Sequence, residues 1–155
     1  MTGSDAHGDR HGAAGTNEAP RRGSPVARAA LLAYLLLIVY ASWYPFTGWR
    51  SNGLPLLSFM NLVKQRYWTG FDVMVNVVGY VPLGILLVLA LYPLVRGIWA
   101  MLLATLIGFL VTGTMETVQN FLPSRVPSNL DLLTNAAGCF VGACIGPFVV
   151  RSLLD

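Results

Sequence analysis

The sequence predicts an all-α membrane protein of four transmembrane helices, with both termini in the cytoplasm and a disordered N-terminal tail. Three observations carry this. The 155 residues are 55% hydrophobic and only 11% charged, and the mean hydropathy is +0.61, which is membrane-like rather than that of a soluble core. The apolar residues gather in four runs, at about 27–46, 71–92, 98–122 and 131–150, each near the ~20 residues that carry a helix across a bilayer. Lys and Arg are distributed unevenly between the two ends of those runs.

Residues 1–25 are polar, rich in Gly, Pro, Ser and charge, and without periodicity, so they read as a disordered cytoplasmic tail preceding a membrane domain over 26–155. His7 and His11 are spaced four apart within that tail. In a Gly-rich flexible segment this is no metal site, and no metal or cofactor is expected. The first run contains Val39-Tyr40-Ala41, an acceptable signal-peptidase site. It continues, however, into Trp43, Tyr44 and Phe46, an interfacial aromatic belt that suits a retained helix. Between the first two runs, Leu56, Phe59, Met60, Val63 and Tyr67 share a helical face, which predicts a short interfacial helix. With the N-terminus inside, the cytoplasmic side holds Arg10, Arg21, Arg22, Arg28, Arg96 and Arg151. The other side holds Arg50, Lys64, Arg66 and Arg125. The larger positive share inside favours this orientation. The formal charge of +3 is scattered rather than gathered on a face, which excludes a nucleic-acid partner. Cys139 and Cys144 point about 140° apart on a helix, so they do not pair with each other.

Polar residues are sparse and patterned. Asp72, Asn76 and Gly79 repeat the spacing of Asp131, Asn135 and Gly138, four residues and then three, which places each trio on one helical face. A duplicated two-helix unit and a chance recurrence both account for it. Gly108, Thr112, Glu116 and Gln119 form a similar stripe on the third run, and Gly138, Gly142 and Gly146 a close-packing stripe on the fourth. Pro82 interrupts the second run, where a kink can leave room for a cavity. Alternation of four spans brings the start of the second run, the end of the third and the start of the fourth to one side of the membrane. Asp72, Asn76, Glu116, Gln119, Asp131 and Asn135 therefore lie at one level, with Arg125 in the adjoining loop. These seven are the candidate ligand-binding residues. Pro123 and Pro127 stiffen that loop, and Ser128 or Asn129 can cap the fourth helix. The guanidinium is thus expected to bridge Glu116 and Asp131.

The third loop and fourth run, ETVQNFLPSRVPSNLDLLTNAAGCFVG, resemble the signature of VanZ-like membrane proteins. The matching positions are Glu116, Gln119, Phe121, Pro123, Arg125, Asp131, Asn135 and Gly138, with Asp72, Asn76, Pro82, Leu83 and Gly84 upstream. The resemblance covers about residues 28–150. It implies a small multi-pass protein of the bacterial inner (plasma) membrane, in a family whose founding member is linked to teicoplanin-type glycopeptide resistance.

No His lies outside the tail and no Cys near the polar level, so no catalytic residues are assigned: Ser-His and Cys-His nucleophiles have no parts here. The leading expectation is a non-enzymatic protein of the cell envelope whose outward polar cluster binds a polar ligand or a lipid headgroup. Membrane lipid is its expected partner, and the resemblance adds a cell-wall precursor or a glycopeptide. The alternatives are a membrane enzyme acting on a lipid-linked cell-wall precursor, with its carboxylates, Glu116 foremost, as acid, base or ligands of a hard cation such as Mg²⁺ or Ca²⁺, and a polar network that only locks the helices together.

Overall fold

A computed structural model describes residues 23–51, 53, 55–60 and 69–154. Within them the chain forms four long helices and no strand: α1 (Pro25–Trp43), α2 (Gly70–Leu91), α3 (Gly97–Gln119) and α4 (Asn129–Leu153). All four are long and apolar enough to cross a membrane, and large apolar side chains such as Leu36, Val78, Leu106 and Phe148 remain exposed along them. An apolar exterior of this kind is matched to lipid. Most of the tail expected over 1–25 lies outside the described residues, as do Val63 and Tyr67 of the expected interfacial helix. Of that segment, Ser58–Met60 forms a single 3-10 turn with Phe59 buried.

Helix ends follow local chemistry. Ser24 caps α1 by accepting from the Ala27 amide at 3.1 Å, with Pro25 in the first turn, where its missing N–H costs nothing. The expected span ran to Phe46, but α1 stops at Trp43, because Pro45 drives Tyr44 into an extended conformation. Pro93 ends α2 in the same way at Tyr92. Thr69 and Asp72 form a reciprocal capping box at the start of α2, each side chain accepting from the other's backbone amide. The helical path of α3 tightens into i→i−3 bonds at Asn120, Phe121 and Leu122, so it ends before the expected residue 122.

The closest-packed pair is α2 with α4, running parallel through glycine. A Cβ on Gly138 would collide with the Val77 carbonyl, one on Gly142 with the Val81 carbonyl, and one on Gly84 with the Cys139 carbonyl. Backbones this close require the absence of side chains on both helices. Gly108 of α3 makes the same allowance for the Cys139 side chain. The buried apolar core has Leu83, Leu87, Ala100, Ala104, Cys139 and Ala143 of α2, α3 and α4 at its centre and takes in Ala27 and Ile38 of α1. Helix α1 is the least buried of the four, and to its apolar contacts with the core it adds discrete polar ties. One of these is Tyr34, whose hydroxyl donates to the Gly79 carbonyl at 2.6 Å. That carbonyl is next to Val78, whose helical donor Pro82 cannot supply.

Candidate ligand site

Between α1 and the other three helices lies a cavity of about 380 Å³, at the end where α1 and α3 finish and α2 and α4 begin. Six of the seven residues expected from the sequence line it: Asn76, Glu116, Gln119, Arg125, Asp131 and Asn135. Asp72 does not. Its carboxylate is exposed at the capping box, accepting from the Thr69 amide and hydroxyl, both at 2.8 Å. Removing that box by Thr69→Ala is expected to cost about 0.5–2 kcal/mol of stability. Thermal unfolding of the purified variant beside the wild type measures it.

The cavity walls are cross-tied. Asn76 Nδ2 donates to Asp131 Oδ1 at 2.8 Å and to Thr134 Oγ1 at 3.3 Å, joining the starts of α2 and α4. Asn135 Nδ2 donates to Thr112 Oγ1 at 3.0 Å, joining α4 to α3. Glu116 is 2% exposed, and its Oε2 accepts from the Ser128 amide at 2.8 Å. Ser128 Oγ in turn accepts from the Leu130 and Asp131 amides as the N-cap of α4. A carboxylate on α3 thereby fixes the first turn of α4.

Arg125 does not bridge the carboxylates. Its Nη2 donates to the Ala41 carbonyl at 2.8 Å and its Nε to the Tyr44 carbonyl at 3.2 Å. Among the described residues it makes no ion pair. The reason lies in α1. The Ala41 carbonyl would ordinarily accept from residue 45, which is a proline without an N–H. The Ser42 carbonyl would accept from Phe46, whose amide bonds instead to Trp43. Orphan carbonyls at the negative end of a helix attract donors, and cations most strongly. Arg125 takes the first, and Gln119 Nε2 takes the Ser42 carbonyl at 3.2 Å. Both side chains thus hold α1 over the cavity.

Two buried polar atoms at the cavity have no hydrogen-bond partner among the described residues, Asn135 Oδ1 and Tyr80 Oη. Their residues are 6% and 7% exposed; the Tyr80 hydroxyl lies beside Thr112, whereas Asn135 Oδ1 forgoes the bond that buried groups almost always make. The sequence analysis did not single out Tyr80, although it follows Asn76 at the i+4 spacing that puts both on one face. Gly79 also lines the cavity, and a Cβ there would meet nothing within 4 Å. Its counterpart in the repeated pattern, Gly138, is instead a backbone contact. Apolar and exposed, Val75 and Val126 lie at the cavity's rim.

The described residues contain no group of three His, Cys, Asp or Glu side chains that could hold a metal ion. A family model described as VanZ/LLP1 matches residues 30–150. No curated protein and no solved structure matches the chain.

Proposed function

This chain belongs to the VanZ/LLP1 family, and from that premise we propose that it is a non-enzymatic protein of the bacterial inner membrane whose outward-facing cavity receives a lipid headgroup. The observation that carries the reading is a polar cavity lined by Asn76, Glu116, Gln119, Asp131 and Asn135 with apolar Val75 and Val126 beside them, in which Asn135 Oδ1 lacks a donor. A bound polar group can supply the donor that Asn135 Oδ1 lacks. A rim of Val75 and Val126, the latter 77% exposed, suits the hydrocarbon that follows a headgroup. The volume falls in the range of small-molecule sites, roughly 300–1,000 Å³. A link to teicoplanin-type glycopeptide resistance rests on family resemblance, and engagement of envelope lipids is compatible with it.

Gly79→Leu tests the site. A Cβ at this position meets nothing within 4 Å and the residue lines the cavity, so the larger side chain should be taken up by the cavity and the variant should fold and melt as the wild type does. Co-purified lipid, counted by native mass spectrometry, should fall about tenfold, a loss of ~1.4 kcal/mol. Undiminished lipid in a folded Gly79→Leu protein would remove the cavity from consideration. Orientation is read separately, with Ser124→Cys at the mouth labelled by a membrane-impermeant maleimide on intact cells. Labelling only after lysis would turn the cavity to the cytoplasm.

A further inference from the structure

We infer that the headgroup held in this cavity carries an ammonium group, an assignment that rests on the cavity being a lipid site. Two carboxylates, Glu116 and Asp131, line one cavity, and neither is ion-paired among the described residues. Glu116 has a backbone amide as its donor and Asp131 a side-chain amide. The nearest cationic side chain on the lining, Arg125, donates to the carbonyls of α1 instead. Acidic side chains at membrane depth require compensation, because lipid supplies neither charge nor donors. The third acceptor is Asn135 Oδ1, which is buried and unpartnered. It is an oxygen, so the missing group is a donor.

Three kinds of ligand offer donors to such a set. A neutral polyol would satisfy the oxygens and bring no charge to the two acids. A bare hard cation such as Mg²⁺ prefers octahedral oxygen ligation at close range, whereas the cavity is much larger than an ion and no metal-holding trio of side chains is present among the described residues. A primary ammonium brings a positive charge and three N–H donors, one for each of Glu116, Asp131 and Asn135. Arg125 at the mouth still faces the cavity, placed where the phosphate of a zwitterionic headgroup would pass. An aminophospholipid of the membrane and a soluble amine reaching the cavity from outside offer this same chemistry.

The test uses the full-length purified protein and native mass spectrometry with four probes: phosphatidylethanolamine, its N-acetyl derivative, phosphatidylglycerol, and soluble ethanolamine as competitor. N-acetylation keeps the phosphate and the chains and removes only the charge. Wild-type protein should prefer phosphatidylethanolamine to the other two lipids by about tenfold. Asp131→Asn retains the acceptor for Asn76, and Glu116→Gln retains one for Ser128. Each should cut that preference to under about threefold, with the melting temperature within about 4 °C of the wild type's. Millimolar ethanolamine that displaces the lipid would support the ammonium and make the source soluble. Its failure to compete would support a lipid source. Equal binding of all three lipids, abolished by Gly79→Leu, would overturn the ammonium assignment and leave the cavity standing. Equal binding that Gly79→Leu does not touch would overturn both. Should the acid variants fail to fold, the wild-type comparison of the amine with its N-acetyl form decides alone.

Discussion

Gly138→Ala should lower the melting temperature of the purified protein by about 5–10 °C, whereas Gly79→Ala should leave it unchanged or raise it. The two glycines occupy the same place in the repeated Asp, Asn, Gly pattern, and both lie inside helices. Helix propensity alone therefore predicts a gain of up to ~1 kcal/mol for either substitution. Surroundings decide the difference. A methyl group on Gly138 runs into the Val77 carbonyl and its neighbouring backbone atoms, which cannot swing aside as a side-chain end would. The axes of α2 and α4 would have to separate, loosening the Gly142 and Gly84 contacts farther along the same seam. Overpacking of this kind costs about 1–3 kcal/mol or more, and in a chain of this size each kcal/mol moves the melting point by about 2–4 °C. A methyl group on Gly79 enters the cavity and meets nothing within 4 Å. Thermal unfolding of both variants in one detergent checks the contrast. Equal destabilisation of the two would mean that α2 and α4 do not meet through Gly138.

How much of this was legible in the sequence depends on the kind of statement. Helix number and rough extent were, because a bilayer demands ~20 apolar residues whatever the neighbours are. The common level of Asn76, Glu116, Asp131 and Asn135 was also legible, since antiparallel spans fix height along the membrane. Partner choice was not, because height says nothing about rotation of a helix or about which donor arrives first. Arg125 was assigned to carboxylates on charge, common level and the stiffness of its loop. The competing acceptor, the Ala41 carbonyl, is orphaned by Pro45, but its relevance depends on α1 ending beside the Arg125 loop, a long-range fact. Asp72 was grouped with the site by its spacing to Asn76, yet a purely local signal, Thr69-x-x-Asp72, marks it as a cap. Tyr80 was legible by its i+4 relation to Asn76. The different fates of Gly79 and Gly138 were not, since identical spacing gives no sign of which helix faces a neighbour's backbone and which faces a cavity.

Glu116→Ala should cost the protein about 2–4 kcal/mol, and Glu116→Gln about 1 kcal/mol or less. Glu116 is the acceptor for the amide of Ser128, and Ser128 is itself 1% exposed. Alanine strands that buried N–H at a cost of about 1–3 kcal/mol, and the space left by the side chain adds to it. The loss propagates, because Ser128 caps the Leu130 and Asp131 amides, and Asp131 is the residue that receives Asn76. Glutamine keeps an acceptor oxygen in place and gives up only the charge on it. Glu116→Leu, of similar bulk but without an acceptor, separates the two contributions: it should fall between the other variants, nearer to alanine. Equilibrium unfolding in a fixed detergent measures all three. The glutamine variant also divides the two roles the position can have. A network that only ties α3 to α4 predicts that Glu116→Gln behaves as wild type in every assay once folded. A cavity that uses the negative charge predicts a folded protein that has lost its preference for the amine-bearing lipid. If Glu116→Gln unfolds as readily as Glu116→Ala, the charge itself holds the helices, and the position carries no separate binding role.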